Sequence, residues 1–333
     1  MTKIFHKNNS EISFPEKAKE LIKLAKEADP KCRAFGANYH KYELNPTATI
    51  KEVRQFEKEY NIKLPEGFVK YLTEVGNGGA GPAYGIYSLE MLRKRNPSLK
   101  QFGCKKAFID QRFNSDNPDY DPYSIREEWE KICEEYENAS ERLLDDECLN
   151  IMLNVFGGTL NIGTPGCTMS YELIIDGSEN NGKIAVIDHD MDENAPPNLT
   201  DMDFEEWFCD YFERIINGQS IIEDNRNARN NSFMYYLHER DTFNKKSFDE
   251  FLYCLSHVTL YDIETYMELE YVIRQIWRHI SYHFNPNDSF EIADLPENYI
   301  EYIEMLEREV HVYRNHIEHH LGDILHERYY YYH

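Results

Sequence analysis

No stretch of the 333 residues approaches the roughly 18 consecutive apolar residues that a membrane-spanning helix requires. The opening residues, MTKIFHKNNSEISFPEK, lack the apolar block of a secretory signal, so the expected compartment is the cytoplasm. Cysteine is scarce: the seven residues at 32, 104, 133, 148, 167, 209 and 254 are odd in number and form no CxxC pair. That pattern argues against a disulfide framework or a zinc ribbon and fits reduced cytosolic thiols. Basic residues are in deficit, 36 against 60 acids, for a net charge of −24. A field of that sign repels nucleic acid. It favours association with a strongly basic protein, although the same charge also serves solubility alone. There is no GxSxG elbow and no HExxH or related metalloprotease order. No catalytic residue, cofactor or metal site is therefore expected, and neither a nucleic acid nor a membrane partner.

What is present is ample core material, 41% hydrophobic with 14% aromatic residues. The N-terminal part reads as helices. Leu21, Ile22, Leu24 and Ala25 form one stripe. Thr49 with Glu52 has capping-box spacing ahead of Val53, Phe56 and Tyr60. LPEGFVKYLTEVG places Phe68, Tyr71, Leu72 and Val75 at helical spacing after Pro65, and Gly76 ends the helix. Residues 110–150 read as an acidic loop, NSDNPDYDPYS, followed by a solvated helix. From 151 the pattern becomes strand, turn, strand: LNIG, YELIID and KIAVID, the last following GSENNG. FEEWFCDYFERII then returns to helical spacing. Beyond about 221 every apolar stripe has helical period, with a second capping-box spacing at Ser247 and Glu250. Trp129, Trp207 and Trp277 fall on these helices, with core packing as their expected role.

Three short motifs invite chemistry. Gly177–Lys183, GSENNGK, has the first seven positions of a P-loop, but Ile184 stands where the magnesium-binding hydroxyl belongs and a strand follows. A hairpin turn accounts for it better. DHDMDE at 188–193 begins like a calcium loop, yet Glu193 replaces the glycine and Leu199 the bidentate glutamate. His316 and His320 share a helix face near His311 and His319, where surface histidines are the better account. The run VGNGGAGPAYGIYSLE (75–90) follows a helix, whereas a dinucleotide-binding loop follows a strand. Gly76, Asn77, Gly78 and Gly79 tolerate positive φ, which suits a helix stop and a tight turn before Pro82.

The order of these features resembles the SUKH superfamily, proteins related to the yeast cell-wall assembly regulator of the Smi/Knr type. The marker is LPEGFVKYLTEVGNGGAGPAYGIYSLE, with Leu64, Pro65, Gly76, Asn77, Gly78, Gly79, Gly81 and Pro82 as its turn. CRAFGANYHKYELNP upstream, the Gly166–Cys167 step within the later strands, and FEEWFCDYFERI as a closing helix extend the likeness over roughly residues 20 to 217. Ala185 and Val186 stand where the family often carries tryptophan. The resemblance implies a helices-on-sheet fold and no enzymatic activity. For bacterial members it implies an immunity protein of a polymorphic toxin system that binds a cognate toxin, often a nuclease or deaminase.

The expectation is thus an α+β domain over 1–220, helices on a mostly antiparallel SUKH-like sheet with an acidic insert at about 91–150. An all-helical module over 221–333 follows. The function expected is stoichiometric binding of a basic toxin domain. Candidate partner contacts, chosen on chemistry and not carried over from the family, are Tyr84, Tyr87, Asp188, Asp190, Asp192 and Glu193. A regulatory or scaffolding protein of the Smi/Knr kind is the alternative. A metal-dependent enzyme using the C-terminal histidines or the acidic loop is a third.

Overall fold

The computed structural model describes residues 12–331 apart from 33, 103, 104, 143, 144, 257 and 259–262; side chains at 102, 141, 145, 263, 264 and 316–331 lie outside the description. The fold is mixed α+β, with one four-stranded antiparallel sheet and helices throughout the C-terminal part. The chain divides into two compact units, Glu11–Lys23 with Gly36–Phe212 and Leu24–Phe35 with Glu213–His333.

The first unit is built around the sheet. Helix α1 (Phe14–Ala28) begins in it, followed by α2 (Ala37–His40), α3 (Ile50–Tyr60) and α4 (Glu66–Lys70). Thr49 and Glu52 form the expected reciprocal capping box on α3. Pro65 is the N-cap of α4, which continues as a π-helical turn over Tyr71–Val75. Next come α5 (Leu89–Arg95), α6 (Leu99–Phe102), α7 (Pro122–Glu141) and α8 (Asp145–Val155). Strands β1 (Thr159–Gly166), β2 (Met169–Ile174), β3 (Lys183–Asp188) and β4 (Asn198–Asp203) form a meander in the order β1-β2-β3-β4. Helix α9 (Phe204–Arg226) closes the unit, and the boundary expected at 220 falls inside it. GSENNGK is the connection between β2 and β3, a hairpin, with Gly177 and Gly182 at positive φ.

Alternation along the strands divides the sheet into two buried faces. Leu160, Ile162, Leu173 and Ile184 lie on one, and Tyr171 of that face meets Trp207 of α9 edge-on at 4.8 Å. Ile174, Ala185, Ile187 and Leu199 lie on the other and join one core with Ile125, Trp129 and Cys133 of α7 and with Val155 and Phe156. This corrects the expected solvated helix. Asp121 caps α7 by accepting from the amides of Tyr123 and Ser124, and Pro122 sits at its first turn. The apolar residues then recur every fourth position, a single narrow stripe among many charges that nevertheless seals a sheet face.

The glycine run forms a corner with a tertiary role. Gly79 and Ile86 exchange both backbone hydrogen bonds. Gly79 also bridges Leu44, Ile86 bridges Gly163, and the Tyr87 amide donates to Ile162 of β1. The run therefore stitches the 43–45 segment to the outer edge of β1. Gly78 and Gly79 adopt positive φ as expected. Gly76 does not: its φ of −173° is extended backbone open to any residue. Asn77 also lies outside the positive-φ set and works through its side chain, which accepts from the Leu89 amide.

In the second unit, α10 (Phe233–Glu239), α11 (Lys245–Ser256), α12 (Ile263–His283) and α13 (Tyr299–Tyr331) follow the remainder of α9. Phe233, Phe243, Phe248 and Tyr302 pack ring against ring. Ser247 is not the cap of α11, because the helix starts at Lys245 and the Asn244 carboxamide accepts from the Ser247 amide.

Candidate partner-binding site

The loop after β3 is folded by Asp188. Its side chain is buried, with one carboxylate oxygen accepting from the Asp190 amide and the other from the Asp192 amide. Asp188 is thus a loop-former whose oxygens are already engaged, and it is withdrawn from the surface that a partner meets. Asp190, Asp192 and Glu193 are exposed. The fully buried Trp129 anchors this loop to α7, its indole N–H donating to the Asp192 carbonyl at 2.7 Å. Arg126 adds a bond to the Asn194 side chain at 3.0 Å. The Cys133 thiol registers the resulting field. Burial first, then the charges of Asp192, Glu193, Asp188 and Glu130, push it up to about 11.

The acidic loop and α7 are thus tied together, and each carries surface acids. On α7, Glu127, Glu128 and Glu130 are ion-paired with Lys131, Arg112 and Arg126. Glu134, Glu135 and Glu137 are exposed and make no ion pair among the described residues, and the same holds for Asp190, Asp192 and Glu193.

Within the loop, His189 is the outer end of a buried polar network. Its ring stacks on Phe156 at 4.5 Å and stays 37% exposed. Its Nε2 lies 2.9 Å from Ser170 Oγ and 3.5 Å from Glu172 Oε1. Glu172 is 2% exposed and accepts from Ser170 and from Thr159, at 2.7 and 2.8 Å. These groups share a face because Ser170 and Glu172 are two apart on β2, while Asn161 pairs with Glu172 across β1. Asn96 fixes Asn161 from outside, bonding both its backbone N–H and its carbonyl. Tyr87 joins this neighbourhood beneath the Arg95 guanidinium, 5.8 Å from the ring centroid. Burial raises the Tyr87 phenol, Arg95 pulls it back down, and Glu172 pushes it up.

Serine, histidine and glutamate in contact suggest hydrolysis, but the connectivity differs from a catalytic relay. In a relay the acid holds the far nitrogen of the imidazole and the serine meets the near one. Here Ser170 donates to the carboxylate directly, the acid and the serine both meet Nε2, and the hydroxyl is buried. The network orients His189 and ties β1, β2 and the loop together. Thr159 and Ser170 have second acceptors in the Phe156 and Ile187 carbonyls. Replacing Glu172 with leucine is therefore expected to change the unfolding free energy in urea by less than about 2 kcal/mol, because the hydroxyls it leaves behind keep other acceptors. A loss of more than about 3 kcal/mol would make Glu172 a structural keystone instead.

Tyr87 and the 188–193 loop are brought to one neighbourhood through Glu172 and His189. Tyr84 is drawn instead to α2, edge-on to Tyr39 at 4.7 Å. Leu64, Pro65, Gly81 and Pro82 are buried, and Gly166 takes a positive φ in the β1–β2 connection. Of the C-terminal histidines, His311 bonds Asn315, while the side chains of His316, His319 and His320 lie outside the described residues. His189, Glu172, Ser170 and the Trp129 anchor are additions from the structure. The one sequence signal was Glu172, a lone carboxylate inside the apolar strand YELII.

No family model, curated protein or solved structure matches this chain. Among the described residues no helix is long and apolar enough to cross a membrane, and no three His, Cys, Asp or Glu side chains converge as a metal set.

Proposed function

We propose that the chain is a non-catalytic immunity protein that binds and neutralises a basic toxin domain in the cytoplasm. The observation that carries this reading is the unneutralised acidic surface of α7 and the 190–193 loop, held on a rigid core by Trp129. Charge complementarity of this kind steers a cationic partner and selects among competitors. Tyr87 and His189 supply ring surface beside it. The direct Ser170–Glu172 bond supports a binding role over hydrolysis, and the likeness of the glycine corner to the SUKH marker supports the same class. A nuclease or deaminase domain, whose own substrate is polyanionic, is the partner chemistry that fits best.

The test is to search the genes on either side of this one for a basic effector domain and to co-express that domain with the chain, and the lack of any such gene counts against the reading. The wild-type chain is expected to restore growth and to bind the purified effector domain. Replacing Asp190, Asp192 and Glu193 together with lysine is expected to slow association at least about tenfold at low salt, with less effect at high salt. Failure of the wild-type chain to protect the cell sinks the immunity reading. Undiminished association by the triple variant moves the binding face elsewhere.

A further inference from the structure

His279 on α12 is nearly buried, and its Nδ1 faces the Gln275 carbonyl at 2.8 Å. A carbonyl only accepts, so Nδ1 carries the proton and Nε2 presents a lone pair. That lone pair faces His238 of α10, whose Nδ1 lies 3.2 Å away with the ring planes at 88°. The His238 side chain is 58% exposed, and its outer nitrogen, Nε2, lies 3.8 Å from the Glu239 carboxylate.

With a proton on His238 Nδ1, the pair is a simple hydrogen bond. Moving that proton to His238 Nε2 changes its chemistry. Both inner lone pairs then converge, and His279 directs its outer N–H to the Gln275 carbonyl, while the outer N–H of His238 lies 3.8 Å from the Glu239 carboxylate, too far for a hydrogen bond. For His279 this is the outer-shell arrangement that orients a metal-binding imidazole. The spacing also fits: two nitrogens each about 2.0–2.1 Å from a tetrahedral ion lie about 3.3 Å apart.

We infer that His238 and His279 form a two-imidazole site for a borderline transition metal such as Zn²⁺, Ni²⁺ or Cu²⁺. Imidazole nitrogens disfavour magnesium and calcium, which take oxygen ligands. Two protein ligands leave positions for water or for a donor from a partner. His283, one turn beyond His279, accepts from the Ile292 amide at Nδ1 and is engaged there. Binding would clamp α10 to α12 within the helical unit.

The test uses untagged full-length protein with His316→Gln and His320→Gln as the parent, so that the tail pair cannot ligate. Nickel and zinc chloride are titrated by calorimetry, with melting temperature followed in parallel. Saturable binding at one ion per chain and a metal-dependent rise in melting temperature are expected. His238→Ala is expected to weaken binding at least about tenfold and to abolish that rise, while the metal-free melting temperature falls only slightly, by the loss of one hydrogen bond from a largely exposed side chain. Equal affinity in parent and His238→Ala, or no saturable binding by the parent, overturns the site.

Discussion

Replacing Trp129 with alanine is expected to cost about 3–5 kcal/mol of unfolding free energy, the range for deleting a buried large aromatic. The side chain has no exposed surface and sits between α7 and the sheet face of Ile187 and Ala185. Its loss opens a cavity where the apolar stripe of α7 is narrowest in support. It also removes the donor that holds the Asp192 carbonyl. The second effect has its own readout. Phenylalanine at 129 restores much of the volume but not the N–H, so it is expected to recover most of the stability while proteolysis within 189–194 stays fast. Urea unfolding of the two variants separates packing from anchoring. A cost below about 1 kcal/mol for the alanine variant would mean that α7 is not a core layer, and the acidic surface would then lack its rigid support.

Alanine at Gly79 is the second large effect, at least about 3 kcal/mol. Gly79 has a φ of +108°, which side-chain-bearing residues rarely adopt, and an added Cβ would lie 2.5 Å from the Glu43 carbonyl oxygen. Relaxation is blocked on both sides, because the N–H and the carbonyl of Gly79 are bonded to Ile86. The strain would spread to the bridges that join Ile86 to Gly163 and Tyr87 to Ile162. Gly76→Ala is the internal control, since its backbone is extended and its closest neighbour is the Leu44 side chain at 3.0 Å. Thermal melts are expected to rank Gly79→Ala well below Gly76→Ala. Equal melting temperatures would reduce the corner to an ordinary surface turn.

Much of the first unit was legible because its signals are local. The capping box at Thr49 and Glu52 needs four residues to declare itself, and the hairpin at 177–182 needs two strands and the turn between them. The glycine corner was legible as a stop after a helix, since its position relative to LPEGFVKYL decides that without tertiary information. Gly76 ends the helix as expected but with extended backbone, because glycine permits a positive φ without requiring one. Ser247 was misassigned for a related reason: Asn244, three residues earlier, is as good an acceptor, and only the start of the helix decides between them.

The candidate site was legible as charge and opaque as geometry. Asp188, Asp190, Asp192 and Glu193 look alike in DHDMDE, yet Asp188 is buried and folds the loop, Asp192 is exposed while accepting from Asn194, and Asp190 and Glu193 face water. That difference depends on where β3 ends. Helix α7 was read as solvated because Ile125, Trp129 and Cys133 are spread thinly through a strongly charged segment. What makes that stripe a core face is the sheet opposite it, which begins only at residue 159.

Sequence alone determined the chain's sign of charge, the absence of an apolar run long enough for a membrane-spanning helix, its helical and strand periods and the places where it turns. These follow from composition and from neighbours within a few residues. Tertiary structure decided which acids are free, which tyrosine joins the loop, and that Ser170, Glu172 and His189 form one network. Those outcomes depend on strand pairing and on the packing of segments that lie many residues apart. Register across β1, β2 and β3 puts polar side chains on the same sheet face, and no local pattern of residues encodes that register.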